Sequence, residues 1–533
     1  MGDRVTLFDT TLRDGAQTQG VDFTVADKLA VAQALDRLGI DYVEAGWPGA
    51  NPTDDAVFAN PPRLHHAQLT AFGMTRRAGR SVANDPGLAA LLNSRAPTIC
   101  LFGKTWDFQV DVALGIPRDE NLAMIADSVA AVVARGKEAL FDCEHFFDGY
   151  KANPDYALAA AKAAYDAGAR WVVLCDTNGG TLPHEVAEIV AAVRQEIPGD
   201  RLGIHAHNDT ENAVANSLAA VRAGARQVQG TLNGVGERCG NANLISLIPT
   251  LMLKLGYETG IKSGALKDLA VISRWFDDLL NRAPDPGAAY VGSNAFAHKG
   301  GAHVSAIAKD PRCYEHVAPE AVGNRRSIVV SDQSGKSNIL ARLKEIGIDV
   351  AAGADQVDAL VRLVKEREFQ GYAYDAAHAS FEVLARRMLG LVPTYFELER
   401  FAVTDERRFN ARGVMVNESE ATVKVRVAGE LRHTVADGNG PVNAIDRALR
   451  KALEPTYPVL EAMKLADYRV RILKATDASG AMPRVLIESV GRKGDRWATV
   501  GVSTNIIDAS FDALGDSFTY KLLTSGVAAA IAA

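Results

Sequence analysis

Two histidines and one aspartate stand at a spacing that suits a metal ion. His205 and His207 are separated by one residue in an apolar run, so on a β-strand both side chains project from the same face. Asp14 follows another apolar run and supplies a carboxylate. Two imidazoles and a carboxylate suit Zn²⁺, Mn²⁺ or Fe²⁺ better than Ca²⁺, whereas an isolated His-x-His is more often a hydrogen-bonded pair. The surrounding elements decide between these interpretations.

Eight apolar runs alternate with alanine-rich helical patterns in the first half of the chain. The predicted strands are Val5–Thr10, Tyr42–Ala45, Leu69–Gly73, Thr98–Phe102, Ala139–Cys143, Trp171–Cys175, Leu202–Ala206 and Gln227–Leu232. The predicted helices include Val25–Leu38, Asn121–Ala134, Pro154–Ala167, Pro183–Val193 and Glu211–Ala223. Eight such alternations in about 240 residues match the size of a (β/α)8 TIM barrel. We therefore predict an α/β fold, with a catalytic TIM barrel over residues 1–280.

Polar residues cluster where the predicted strands end. In a TIM barrel these ends form the rim that carries the active site. With Asp14, His205 and His207, the rim contains Asp9, Arg13, Glu44, Asp142, Glu144, Asp176, Thr177, Asn178, Asn208, Asp209, Asn233, Glu237, Arg238 and Asn241. Imidazoles buried beside such groups are costly unless a cation or an acid satisfies them. This position favours the metal site over the hydrogen-bonded pair.

Composition excludes several classes of protein. The chain has 533 residues, a net charge of -7 and 47% hydrophobic residues, which is typical of a globular protein and not of a disordered or fibrous one. Lys and Arg are dispersed, so nucleic acid is not expected as a partner. The N-terminus lacks a secretory pattern and no apolar run reaches the ~18 residues that span a membrane. The five cysteines form no CxxC, which indicates a reducing cytoplasm.

Three motifs together resemble a known family. They are Leu7-Phe-Asp-Thr-Thr-Leu-Arg-Asp-Gly15, His205-Ala-His-Asn-Asp209 and Asn233-Gly-Val-Gly-Glu-Arg-Cys-Gly-Asn241. Their order and strand positions resemble the 2-isopropylmalate, homocitrate and citramalate synthases, and the resemblance covers nearly the whole chain. These enzymes are acyl-CoA Claisen condensing enzymes on a metal-dependent TIM barrel. The resemblance implies acetyl-CoA as co-substrate and a divalent metal (Mn, Mg, Zn or Co) as cofactor.

The resemblance also implies roles for individual residues. Asp14, His205 and His207 match the metal ligands, and Asn241 matches the asparagine that completes or supports the metal site. Arg13 matches the arginine that stabilises the developing oxyanion of the 2-oxo acid. Glu144, His303 and Tyr314 match groups at the reaction centre and are the catalytic candidates for the proton steps. Asp142 and Thr177 are candidates for substrate contacts, with a turn or core-edge role as the alternative. His298 fits the same motif as His303, and we assign it a structural role.

Three further blocks resemble one branch of the family. Arg13–Gly20, Leu101–Phe108 and Glu144–Lys151 resemble the branch that condenses pyruvate with acetyl-CoA to give (R)-citramalate, on a route to isoleucine. One departure is Ala16, where many family members have Glu. That glutamate is not among the carried-over metal ligands, so we interpret the change as a mark of the branch. The choice of pyruvate rests on resemblance, because pocket volume cannot be read from sequence.

The second half of the chain changes in texture. A turn-rich break at Asn281–Gly287 begins a linker and small helical subdomains, predicted over residues 281–388 and expected to cover the barrel mouth. The pattern of residues 389–533 predicts two similar repeats, each of several strands followed by one helix. Gly-containing turns stand at Asp437–Pro441 and at Gly501–Asn505. The region resembles the family's α+β regulatory and dimerisation domain. This implies a homodimer and isoleucine as an effector, with helix capping as the alternative role of the two turns.

Other functions remain as alternatives to the condensation of pyruvate. A sibling enzyme would use the same chemistry on 2-oxoisovalerate or 2-oxoglutarate, as in 2-isopropylmalate or homocitrate synthase. A retro-aldol lyase or a biotin-linked carboxyltransferase would share the metal and the arginine. The absence of a Met-Lys-Met sequence and the presence of the C-terminal region count against that class. A binding protein would have little use for the acids and histidines of the rim.

Overall fold

The computed structural model describes residues 3–331, 334–350, 355–409, 411–473, 482–492 and 494–530. The chain divides into two compact units. The first unit comprises Met1–Phe296 and Val317–Arg325, and the second comprises Ala297–His316 and Arg326–Ala533. The predicted domain boundaries at residues 280 and 388 stay a prediction.

The first unit is a closed barrel of parallel strands, which confirms the predicted fold. Its strands are β1 Thr6–Asp9, β2 Tyr42–Gly46, β3 Gln68–Met74, β4 Thr98–Lys104, β5 Glu138–Glu144, β6 Trp171–Asp176, β7 Leu202–Ala206 and β8 Gln227–Gly230. Parallel pairing of Thr6 with Gln227 and of Asp9 with Gly230 closes the barrel between β1 and β8. The carboxyl ends of all the strands therefore meet at one rim.

Helices surround the barrel. They are α1 Val25–Leu38, α2 Pro52–Ala59, α3 Pro86–Asn93, α4 Asp107–Gln109, α5 Arg118–Ala134, α6 Phe146–Ala152, α7 Pro154–Asp166, α8 Pro183–Val193, α9 Ala213–Ala223, α10 Leu244–Pro249 and α11 Leu269–Leu279. Predicted and observed bounds are the same for α1 and α8, and α5 begins three residues before its prediction.

Local sequence sets the ends of the first helix. The Thr24 hydroxyl accepts from the Asp27 backbone N–H, and the Asp27 carboxylate accepts from the Thr24 backbone N–H in return, so the first turn is capped. Gly39 ends the helix with φ 104°, a left-handed conformation that glycine adopts without the cost of a Cβ. The chain can then turn directly into β2, whose end carries Glu44.

Two apolar layers hold the barrel together. Inside it, Phe8, Phe72, Leu140 and Trp171 belong to one buried cluster. A larger cluster lies between the strands and the helices, with small alanines such as Ala157, Ala160 and Ala161 at the helix contacts. Burying this surface contributes about 25 cal/mol per Å² of apolar area to the free energy of folding. The strands that carry the rim residues are therefore held firmly in place.

The second unit begins with small elements and helices. A two-stranded sheet of β9 (Ala297–His298) and β10 (Ser327–Ile328) is followed by α13 Lys336–Glu345, α14 Asp355–Phe369 and α15 His378–Met388, and α12 spans Gly301–Ile307 between the two strands. Ile339, Leu343, Val357, Leu360 and Phe381 form a common apolar core. This arrangement confirms the predicted helical subdomains.

The remainder of the second unit is the predicted repeat of strands and a helix. Antiparallel β11 (Glu397–Phe409), β12 (Met415–Val427) and β13 (Glu430–Gly438) precede α16 (Pro441–Leu453). Antiparallel β14 (Lys464–Leu473), β15 (Met482–Val490) and β16 (Arg496–Val502) precede α17 (Ile506–Thr524). Alternate residues of β12 are buried, as expected for a sheet with one face against a helix. The alternating pattern predicts one of these strands over Tyr468–Lys474, of which Lys474 lies outside the described residues.

Glycine lets each helix approach its sheet in this repeat. A Cβ on Gly438 would lie 2.3 Å from the backbone nitrogen of Ala444 in α16, and a Cβ on Gly501 would lie 1.9 Å from the backbone oxygen of Ala509 in α17. The two turns singled out in the sequence therefore bring helix and strand backbones into contact. None of the described helices is long and apolar enough to cross a membrane.

Candidate active site at the barrel mouth

Asp14, His205 and His207 converge on one point at the rim. The Asp14 Oδ2 lies 3.2 Å from His205 Nε2 and 3.6 Å from His207 Nε2. The two imidazole Nε2 atoms are 3.2 Å apart. All three side chains are buried. His205 on β7, His207 directly after that strand and Asp14 in the turn after β1 thus present three ligand-type atoms to the same small volume.

This geometry fits a bound divalent metal. Ligands held at about 2.1 Å from one cation with tetrahedral or octahedral angles are about 3.0–3.4 Å apart, close to the observed separations. Asn241 adds a fourth polar group, since its Nδ2 lies 2.9 Å from Asp14 Oδ2 and 3.3 Å from His205 Nε2. The Asn241 Oδ1 is buried and has no partner among the described residues. A half-turn of the amide would direct that oxygen to the same point.

Glycine admits the Asn241 side chain to the site. A Cβ on Gly236 would lie 1.8 Å from Asn241 Oδ1, so a larger residue there would displace the amide. Gly240 has φ 95° and turns the chain back so that Asn241 lies beside His207, with which it forms an isolated antiparallel bridge. The glycines of the third motif therefore position a polar side chain.

A hydrogen-bond chain fixes the orientation of His205. Gln229 on β8 donates through Nε2 to Asp142 Oδ1 at 3.0 Å, so its Oε1 faces His205 Nδ1 at 2.8 Å. Because a carbonyl oxygen only accepts, His205 Nδ1 is the donor of this contact, and in the neutral imidazole the Nε2 then presents a lone pair to the site. Such outer partners hold the tautomer that a metal requires.

Arg13 is held in a fixed position beside Asp14, His205 and His207. Its Nε donates to Glu44 Oε2 at 2.6 Å, and its guanidinium lies over the Phe72 ring at 3.6 Å from the ring centre. Its Nη1 is 3.7 Å from Asp14 Oδ1. This fixed cation can stabilise negative charge that develops at the rim.

Burial and charge perturb the rim acids and bases. Burial opposes ionisation of Asp14, but Arg13 and the two imidazoles outweigh it and hold the pKa of Asp14 well below its usual range. Burial and the neighbouring His205 lower the pKa of His207 to about 4. Burial raises the pKa of Asp142 to about 6. A cluster of such shifts in a concave rim is typical of a functional site.

A second group of possible ligands lies in the barrel interior. The ligand-type atoms of Glu44, Cys100 and Asp142 are within 4.8 Å of one another and all three residues are buried. Its acids have protein donors: Thr10 and Arg13 donate to Glu44 Oε2, and Gln229 donates to Asp142 Oδ1. These contacts favour a supporting role for the group beneath the rim. They also place Asp142 in the support of His205.

Glu144 ends β5 at the rim and faces a lysine. Its Oε2 lies 2.5 Å from Lys104 Nζ at the end of β4. Thr177, at the end of β6, accepts through Oγ1 from the backbone N–H of His145 at 2.8 Å. His145 has φ 59°, so the Thr177 hydroxyl holds the sharp turn directly after Glu144.

His303 and Tyr314 belong to the second unit and lie together. Their rings stack with centroids 4.1 Å apart, and both residues are exposed. The neighbouring His298 is 3.4 Å from Glu315, which also binds Arg326. The predicted action of His303 and Tyr314 on barrel-bound substrate stays a prediction.

Sequence reasoning missed Gln229 and Lys104 as site residues. Gln229 stands in the polar–apolar alternation Gln227-Val-Gln-Gly230, and two glutamines on the inward face of a barrel strand are a detectable signal. Lys104 lies in Leu101–Phe108, a block whose family resemblance does not indicate a contact with Glu144. Its pairing with Glu144 depends on the register of β4 against β5, which periodicity alone does not fix.

Three family models match the chain. Residues 4–272 match the HMGL-like family, residues 290–371 match the homocitrate synthase post-HMGL domain-like family, and residues 375–522 match the LeuA allosteric (dimerisation) domain. The first match covers the described barrel.

Several curated proteins are similar over nearly their full length. The (R)-citramalate synthase of Aquifex aeolicus is 49% identical over 525 residues, covering 98% of each chain. That of Geobacter sulfurreducens is 51% identical over 520 residues, covering 97% of each chain. The 2-isopropylmalate synthase of Methanocaldococcus jannaschii is more distant, at 31% identity over 520 residues, covering 96% of this chain and 94% of the relative.

Proposed function

We infer the function from one premise: the chain belongs to the family of the (R)-citramalate synthases. It is an acetyl-CoA condensing transferase that joins pyruvate and acetyl-CoA and releases citramalate and CoA. The structural observation that supports this reaction is the grouping of Asp14, His205 and His207 beside Arg13 at the rim. Such a set suits the polarisation of a 2-oxo acid and the neutralisation of an alkoxide.

We propose that Asp14, His205 and His207 hold one divalent metal, with Asn241 completing or supporting the site. Mn, Mg, Zn or Co is the candidate ion. When bound, such an ion supplies Lewis-acid polarisation of the pyruvate ketone. Gln229 acts through His205, because the acceptor it offers to Nδ1 leaves Nε2 free for coordination.

Arg13 stabilises the oxyanion that forms on the pyruvate ketone. Glu44 and Phe72 hold its guanidinium from two sides, so little reorganisation is needed when the charge develops. Asp142 supports this site from the barrel interior, where it accepts from Gln229. Thr177 supports it at the turn after β5, where its hydroxyl accepts from the His145 backbone N–H. They are also our candidates for contacts to pyruvate.

Glu144 removes a proton from the methyl group of acetyl-CoA. Its carboxylate stands at the rim, where a base must reach the substrate. We assign the later steps, in which water cleaves the citramalyl-CoA thioester, to His303 and Tyr314, whose stacked rings present a base and a hydroxyl together.

We propose that the second unit supports a homodimer and binds isoleucine as an effector. A cavity of about 470 Å³ in this unit is lined by Arg367 and Asp512, with Leu384, Val500 and Phe511 among its apolar residues. These charges complement the carboxylate and ammonium groups of an amino acid. Isoleucine should inhibit CoA release, and Asp512→Asn should weaken that inhibition while the uninhibited rate is retained. Inhibition of equal strength in the variant would contradict this position of the effector site.

The proposed cellular location is the cytoplasm.

The direct test compares three oxo acids. Release of CoA from acetyl-CoA is measured with pyruvate, 2-oxoisovalerate and 2-oxoglutarate, each with Mn²⁺ and with chelator, and the acid formed is identified. We expect chelator-sensitive formation of citramalate from pyruvate. Turnover only with a larger oxo acid would retain the chemistry and contradict the substrate, and no release with any of the three would favour a lyase.

A further inference from the structure

We propose that Lys104 is a further catalytic residue, which donates a hydrogen bond to the thioester oxygen of acetyl-CoA as the enolate forms. This inference rests on the proposed condensation. Its starting observation is the Lys104 ammonium 2.5 Å from Oε2 of Glu144, the proposed base. The two residues are paired in register at the carboxyl ends of β4 and β5, where TIM barrels carry their chemistry.

The backbones of both residues are held in place. Asn121 on α5 donates to the Lys104 carbonyl at 2.8 Å. Thr105, the next residue, donates to the Glu144 carbonyl through both its backbone N–H at 3.1 Å and its hydroxyl at 2.8 Å. The two strand ends therefore form a rigid base for the side chains that project above them.

The contact between the two side chains leaves ammonium hydrogens for another acceptor. Glu144 Oε2 has no aligned hydrogen-bond donor among the described residues although Lys104 Nζ is close to it. An ammonium carries three N–H bonds and this ion pair involves one carboxylate oxygen, so N–H bonds remain for a second acceptor. The side chains are 18% and 23% exposed, so a substrate at the rim can reach both.

Other cations of the rim are engaged elsewhere. Arg13 is held by Glu44 and Phe72 next to Asp14. Arg238 binds Asp209 through two nitrogens, at 2.7 and 2.9 Å, and also donates to the Thr177 carbonyl. Lys104 is the rim cation that lies against the proposed base, so it is placed to act on the same substrate group.

Stability alone is a weak reason to place a lysine there. Ion pairs that are partly exposed contribute little to the stability of most proteins. Removal of a proton from a thioester methyl group, in contrast, requires that negative charge on the thioester oxygen be stabilised at the same moment. A preorganised N–H donor beside the base meets that requirement.

The proposed step forms the enolate of acetyl-CoA and joins it to pyruvate. The methyl C–H bond breaks and its proton passes to the Glu144 carboxylate. The electron pair of that bond forms the C=C bond of the enolate, and the C=O pair moves to the thioester oxygen, which accepts a hydrogen bond from Lys104 without taking its proton. The enolate pair then forms the C–C bond to the ketone carbon of pyruvate, whose oxygen becomes an alkoxide beside Arg13.

The test uses two substitutions of Lys104 in the full-length enzyme. Lys104→Met removes the donor and keeps the length of the side chain, and we expect kcat to fall by about 10²–10³-fold, the loss typical of an oxyanion donor, with KM for pyruvate changed by less than about threefold. Lys104→Ala leaves space for a small amine, and ethylammonium should restore its activity in a saturable manner. Tetramethylammonium, a cation without N–H, should not.

Lys162→Met is the matched control, because Lys162 forms an exposed ion pair with Asp166 on an outer helix. It should retain wild-type kcat. Retention of activity in Lys104→Met, absence of rescue by ethylammonium, or equal rescue by tetramethylammonium would each overturn the proposal for Lys104. A wild-type enzyme that releases no CoA with pyruvate would instead contradict the proposed function.

Discussion

Buried polar groups are satisfied differently in the barrel rim and in the C-terminal repeat of β11–α17. In the repeat several of them pair with one another: Trp497 and Ser489 share the Ser517 hydroxyl, and Thr499 donates to the Ala513 carbonyl, while Asp446 Oδ1 in α16 has no partner among the described residues. At the rim, polar atoms of Asn241 and His207 are buried without a partner among the described residues. Buried polar groups that a fold leaves unsatisfied indicate a ligand, and those of the rim lie beside Asp14 and His205, whereas the paired groups of the repeat stabilise its packing.

The largest expected effect follows from removal of an imidazole at the rim. His207→Ala should lower the rate of CoA release by about 10³-fold or more, because loss of a metal contact removes several kcal/mol of transition-state stabilisation. The measurement is steady-state CoA release with pyruvate. His66→Ala is the control, since His66 is exposed and contacts Asp41 away from the rim strands' carboxyl ends. Near-normal turnover in His207→Ala would break the contrast between the two regions.

The next effect separates the base from the metal ligands. Glu144→Gln keeps the shape of the side chain and removes its basicity, so we expect kcat to fall by about 10²–10⁴-fold while metal content stays at the wild-type level. Metal content is measured by mass spectrometry on desalted protein. Loss of metal together with activity would place Glu144 among the ligands and overturn its assignment as the base.

A smaller effect is expected from the outer partner of His205. Gln229→Met removes the acceptor for Nδ1 and should weaken metal binding by about 10–100-fold. Titration of chelator-treated protein with Mn²⁺ gives the change in affinity. Gln195→Met, a change of the same type outside the rim, should leave the affinity unaltered, and an unchanged Kd in Gln229→Met would contradict the tautomer argument.

The smallest effects concern the repeat, where glycine serves packing. Gly501→Ala should destabilise the protein by about 1–3 kcal/mol, because its Cβ would meet the Ala509 carbonyl. Gly515→Ala, in the middle of α17 with open space at its Cβ, should stabilise by about 1 kcal/mol. Urea unfolding measures both. Equal effects of the two substitutions would contradict the packing role of Gly501.

The sequence predicted the barrel because strands and helices alternate regularly and several helices are followed by glycine. Gly39, Gly136, Gly168 and Gly224 all adopt the left-handed conformation expected of helix ends. The i, i+2 spacing of His205 and His207 placed both on one face, and the structure brings Asp14 to them from a distant part of the chain.

What the sequence did not predict depends on register and on close approach. Lys104 contacts Glu144 only through the alignment of β4 with β5, and Gln229 contacts His205 from the neighbouring strand β8. In the repeat, the sequence does not decide what the two turns that contain Gly438 and Gly501 do, and the surroundings of both glycines are helix backbone at contact distance. A glycine in a sequence does not state whether a ligand or another backbone lies against it.

Binding of Mn²⁺ to the chelator-treated protein, followed by electron paramagnetic resonance, tests the metal site at the rim most directly. We expect one tight site per chain in the wild type, a change of its spectrum on addition of pyruvate, and loss of the site in the His205→Ala/His207→Ala variant. Tight binding of one Mn²⁺ by the double variant, with the same response to pyruvate, would contradict the claim that the rim residues form the metal site.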